Sequence, residues 1–86
     1  MTKEFYLVEK AEPKGKKTEE YRGRDLEAAL ERIKSEGNYF LNIYSFDREE
    51  GRFQIKTKFY SDGKVRSINE TRIGQRDLRI LNDVQD

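Results

Sequence analysis

Three groups of side chains have the type and spacing to do chemistry. Asp47, Glu49 and Glu50 gather within four residues, and clustered carboxylates can divide acid and base roles or hold a hard cation. Lys14, Lys16 and Lys17 surround Gly15, a mixture that invites an anion. Phe40, Tyr44 and Phe46 recur at even spacing along one apolar run, and Lys56, Lys58 and Tyr60 do the same along the next. Aromatic residues interleaved with lysines hold protein partners or stack bases.

The first two groups do not develop further. Turn carboxylates serve mainly as solvated caps, and the chain has no histidine or cysteine to act as base, nucleophile or soft metal ligand beside them. The lysine loop lacks the glycine, four residues, glycine, lysine, serine or threonine order of a phosphate cradle. Glu12, Glu19 and Glu20 flank it, so it reads as a solvated basic loop and only secondarily as an anion or partner site. A non-enzymatic protein without cofactor or metal is expected.

Composition agrees. With 86 residues the chain makes one domain, 1–86, with a modest core. Hydrophobic residues are only 34 % against 41 % charged, but five Phe and five Tyr sit in periodic segments, which argues for a folded domain. Basic and acidic residues number 18 and 17, so no strong overall field draws the chain to nucleic acid or acidic lipid. No apolar run approaches the roughly 20 residues that span a bilayer, and Met1 to Lys10 lacks the order of a signal peptide, so a cytoplasmic protein is expected.

The third group depends on strands. Phe53, Ile55, Thr57 and Phe59 alternate with Gln54, Lys56, Lys58 and Tyr60, the period of a strand with one buried face. The preceding run is apolar on both faces, with Tyr39, Leu41 and Ile43 on one and Phe40, Tyr44 and Phe46 on the other. A three-residue loop of Glu49, Glu50 and Gly51 would place Leu41 and Ile43 with Phe53, Ile55 and Phe59, leaving Phe40, Tyr44, Phe46, Lys56, Lys58 and Tyr60 together as a partner-binding face. A four-residue loop beginning at Arg48 would exchange the faces of the first strand. Either register leaves apolar side chains to be covered, by the C-terminal Leu78, Ile80, Leu81 and Val84 or by another molecule.

The remaining elements follow in order. Phe5 to Val8 reads as a first strand, and 12–20 as a flexible basic loop in which Thr18 to Arg22 could return as a weak strand. Asp25 is a helix cap, and Leu26, Ala29, Leu30 and Ile33 form one stripe of a helix from Leu26 to about Glu36, ended by Gly37 or Asn38. A charge at Leu30 is then expected to unfold the domain. Asp62 and Gly63 favour a type I′ turn leading into a polar edge strand, Val65 to Ile73, ended by Gly74. Asp77 could cap a last helical turn, and 82–86 should fray. The predicted fold is α+β: a two-layer sandwich of one helix on a three- to five-stranded, mainly antiparallel sheet, in the order β-(β)-α-β-β-β.

In being small, cysteine-free, densely charged and single-domain, the chain is similar to accessory proteins of phages and mobile elements, including anti-CRISPR inhibitors. That resemblance implies a protein-binding module, with a different protein or a second copy of the chain as partner. The alternative is a single-stranded nucleic-acid module using the aromatic and lysine face. Gly51, Arg52, Phe53, Gln54 and Ile55 only partly follow the signature strand of the RNA-recognition motif, because Gln54 and Ile55 stand where small and aromatic residues belong. Tyr44 should separate two outcomes: a binding anchor, or a buried ring whose loss opens a cavity.

Overall fold

The computed structural model describes residues 4–47 and 52–73. They form a five-stranded antiparallel sheet and one short helix, an α+β arrangement. The strands are β1 (Glu4–Ala11), β2 (Lys17–Gly23), β3 (Asn38–Asp47), β4 (Arg52–Ser61) and β5 (Lys64–Ile73), lying in the order β2-β1-β3-β4-β5. The helix α1 is Leu26–Glu31. The expectations for Gly74, Asp77, Leu78, Ile80, Leu81, Val84 and 82–86, and for the conformation of Glu49, Glu50 and Gly51, lie outside the described residues.

Position in the sheet explains the composition of β1 and β3. They lie where side chains pack on both faces, so Phe5, Tyr6, Leu7 and Val8 are buried in succession, and in β3 Tyr39, Leu41, Asn42 and Tyr44 are buried with Ile43 half-buried. Val8 and Leu41, at 0 and 1 % exposure, mark the centre. Alternating side chains divide the sheet into a Leu41 face, with Tyr6, Val8 and Tyr39, and a Tyr44 face, with Phe5 and Leu7.

The β3–β4 pairing corrects one expectation. Asp47 pairs with Arg52, so four residues separate the strands, and the register is the one that follows from a loop beginning at Arg48. Phe40 lies opposite Phe59, Tyr44 opposite Ile55, Leu41 opposite Lys58, Ile43 opposite Lys56 and Tyr39 opposite Tyr60. Lys56, Lys58 and Tyr60 therefore share the Leu41 face and are separated from Phe40, Tyr44 and Phe46. The reason is packing and polar satisfaction: this register sets buried Asn42 against Thr57, whose hydroxyl bonds its amide, whereas a three-residue loop would set Asn42 and Tyr44 against lysines.

The weak strand is fully formed. Lys17 to Glu20, expected in the flexible loop, belong to β2, and the turn is confined to the residues before them, closed by Glu12 N–H donating to Lys16 O at 2.7 Å. Gly15 takes φ +82° there. The Asp62–Gly63 pair forms the expected turn, with φ of 52° and 81°.

The helix is shorter than its pattern suggests. Asp25 caps it, its Oδ1 accepting from Glu27 N at 3.0 Å and Ala28 N at 3.3 Å. It stops at Glu31 because the chain is drawn to the β4–β5 turn: Asp62 N–H donates to Gly37 O at 3.0 Å, and Gly37 N–H donates to Asp62 Oδ1 at 3.2 Å. The last turn tightens to Arg32 N–H on Ala29 O and Ile33 N–H on Leu30 O. Only Ala29 of the expected stripe is fully buried, among Tyr6, Val8, Tyr39 and Leu41, with Ile33 half-buried, while Leu26 and Leu30 are 41 and 42 % exposed.

That geometry moves the sensitive position by one residue. Ala29→Asp, which buries an unpaired carboxylate, should cost about 3 kcal/mol or more, whereas Leu30→Asp should cost under about 1 kcal/mol. Urea titration of the two variants checks this, and an order reversed from the one expected would show that Leu30 carries the helix contact.

Candidate functional site

The two faces differ in how they are filled. On the Tyr44 face, Phe5, Leu7 and Tyr44 are buried and Phe46 and Ile55 pack against them. Phe5 and Tyr44 meet edge to face with ring centroids 6.5 Å apart. Asn42 lies beneath this group at 9 % exposure, its Nδ2 donating to Leu7 O at 3.3 Å and Glu9 Oε1 at 3.0 Å while its Oδ1 accepts from Thr57 Oγ1 at 2.8 Å. Strands β1, β3 and β4 are thereby tied by one side chain. Toward the β1–β2 turn, Phe40 stacks at a tilt on Phe59 at 5.0 Å, and Lys17 Nζ lies 4.6 Å from the Phe40 centroid.

The Leu41 face is only partly occupied. Ala29, Tyr21 and Ile33 crowd against Tyr6, Val8, Tyr39 and Leu41, near β1 and β2. Gly23 is needed here, since a Cβ would meet the Tyr21 hydroxyl at 2.5 Å, and that hydroxyl accepts from Asp25 N–H at the helix start. Toward β4 and β5 the face opens into a basin of about 380 Å³ lined by Glu4, Ile43, Ser45, Gln54, Ile55, Lys56, Lys58, Glu70 and Thr71. Lys56 Nζ and Glu70 Oε1 approach to 3.4 Å across it, both exposed. Ile68, opposite Lys58 on the same face, is 53 % exposed, and Val65, opposite Tyr60, is 46 % exposed.

Among the described residues one ionisable group is strongly perturbed. Burial pushes the Tyr6 hydroxyl up to about 12, helped by its 2.9 Å bond to Glu4 Oε1 and by that carboxylate's charge. Tyr6 is 6 % exposed and belongs to the packed part of the face, so its shift reflects the fold and not a proton-transfer site.

The six residues expected to form one partner face are thus divided. Lys56 and Lys58 line the basin and Tyr60 packs against the Leu41 cluster, while Phe40, Tyr44 and Phe46 lie on the other side of the sheet, where Tyr44 is buried. Lys14 and Lys16 are exposed in the β1–β2 turn, and Lys17 sits in β2 against Phe40. Glu4, Ser45, Gln54 and Glu70 were missed. Their alternation with the buried residues of the same strands is the signal that placed them on the Leu41 face, once the register was known. Among the described residues no three acidic side chains converge as a metal site, and no helix is long and apolar enough to cross a membrane. The chain matches no protein-family model, no curated protein and no solved structure.

Two measurements follow. Tyr44→Ala should cost roughly 3 kcal/mol by leaving a cavity against Phe5 and Leu7, read as a fall in the urea midpoint, and an unchanged midpoint would place the ring outside the core. For Tyr6, a folded-state value above the ordinary 10 means that the unfolded chain loses the proton first. Its contribution to stability is intact below pH 10 and lost as pH rises towards about 12. Tyr6→Phe should show a smaller decline than wild type across that window, and parallel profiles would contradict the shift.

Proposed function

We propose that this chain is a small non-enzymatic protein-binding module, with α1 and the sheet as two layers and the open part of the Leu41 face as the docking surface. The observation that supports this reading most directly is the basin itself. Ile43 supplies an apolar wall, Ile68 and Val65 remain exposed beside it, and Lys56, Lys58 and Glu70 form a charged border. Apolar residues ringed by polar ones are the usual anatomy of an interface. Such a module acts as an inhibitor or accessory protein by occupying a surface of another protein.

A second reading rests on the other face. Phe40 stacked on Phe59 with Lys17 above it offers one place where a base could stack beside a positive charge, as single-stranded nucleic-acid modules require. Lys56 and Lys58 do not contribute to that place, because they project from the opposite face.

The test pairs K56E/K58E with wild type in affinity capture from the native host, after melts confirm that both are folded. A protein retained by wild type and lost with the double variant supports docking at the basin, and equal retention rejects it. Fluorescence anisotropy with a single-stranded oligonucleotide decides the second reading: binding that weakens steeply with salt and is lost in Phe40→Ala supports it.

A further inference from the structure

We infer that residues 74–86 of this chain lie across the Tyr44 face of the sheet and cover it from the side opposite α1. The burial of that face is the reason. Phe5, Leu7 and Tyr44 are only 6, 7 and 6 % exposed, yet Phe46 and Ile55, which pack against them, belong to strands of the same sheet. A single sheet layer leaves the outer side of its side chains to water, and an apolar face is shielded by another element laid on it. The helix is on the other side, with Ala29 against Val8 and Leu41. The Arg24 guanidinium, 5.8 Å from the Phe5 ring, is too small to shield Leu7 and Tyr44 as well. This burial is reached within one copy of the chain, so the cover is intramolecular.

Three segments lie outside the described residues. Residues 1–3 hold one apolar side chain and 48–51 hold none, whereas 74–86 carry Leu78, Ile80, Leu81 and Val84. The starting point also fits. Thr71, Ile55, Tyr44 and Phe5 stand opposite one another in a row across the sheet, and β5 ends at Ile73, two residues beyond that row. Strands lie about 4.8 Å apart, so β2 is roughly 19 Å from β5 across the face. Thirteen residues span about 20 Å even at the 1.5 Å rise of a helix. Charge is complementary at the far side: Asp83 and Asp86 come late in the segment, and the β2 side of the face carries Arg24 and, opposite Leu7, Arg22. The Leu41 face is not the seat of this segment, since Ile68 there remains 53 % exposed. This inference does not rest on the basin's binding a different protein.

Cross-linking of the full chain tests it, because the chain has no cysteine of its own. Phe46→Cys, on the Tyr44 face, is combined in turn with Leu78→Cys, Leu81→Cys or Val84→Cys, and each pair is treated with a short bismaleimide at high dilution. At least one pair should link at monomer mass, about tenfold or more faster than the same segment cysteine combined with Ile43→Cys on the opposite face. Separately, L78D/L81D should lower the urea midpoint by about 1 M or more, because it places carboxylates against the apolar cluster. If that variant does not fold at all, the cross-linking decides. Links to residue 43 as fast as to residue 46, or no link to residue 46 from any of the three positions, overturn the proposal. So does an unchanged midpoint in L78D/L81D, and so do links found only at dimer mass, which would put the segment of a second copy on this face.

Discussion

Asn42 sits in the middle of β3 with its amide shared between Leu7 and Glu9 on one side and Thr57 on the other. A buried amide costs stability unless each polar atom finds a partner, and a one-residue slip of β4 would replace the Thr57 hydroxyl by a lysine. The arrangement of the whole sheet follows from that constraint. It places Phe40 on Phe59 and Tyr44 against Ile55, gathers these rings with Phe46 on one face, and turns Lys56 and Lys58 to the other with Tyr39 and Tyr60. Among the described residues, no buried side-chain nitrogen or oxygen is left without a partner.

The short helix has a consequence for surface chemistry. Six residues cover about one pair of strands, and the clasp between Gly37 and Asp62 prevents further extension. Ala29 enters the core because its small side chain lets the helix backbone approach Val8 and Leu41, both almost wholly buried. Leu26 and Leu30 pass to either side and remain exposed. The sheet beyond the helix is left as a mixed surface in which Ile43 and Ile68 lie between opposite charges. That opening lies beside the exposed strand β5 and is the surface to which docking is proposed.

The two edges show how differently a sheet can end. At β2, a bulge interrupts the strand, Arg32 donates to the Glu20 carbonyl, and Arg22 and Glu19 pair through their side chains at 2.8 Å. At β5, a bulge at Arg66 interrupts the strand, and the side chains from Lys64 to Thr71 are exposed.

Local patterns in the sequence determined the elements. The alternation from Phe53 to Tyr60, the Asp25 cap and the Asp62–Gly63 turn each depend on residues within a few positions of one another, and each took the form its local chemistry prescribes. The polar composition of β5 likewise marked it as an edge. Tertiary structure decided what local patterns leave open. The face joined to Lys56 and Lys58 was ambiguous because Tyr39 to Phe46 is apolar on both sides, and only the pairing of Asn42 with Thr57 across the sheet resolved it. The helix stripe could not show its own early end, since Gly37 is held by Asp62, twenty-five residues away. Contacts between distant residues set the register and the helix length, and these two quantities determine which side chains reach the surface.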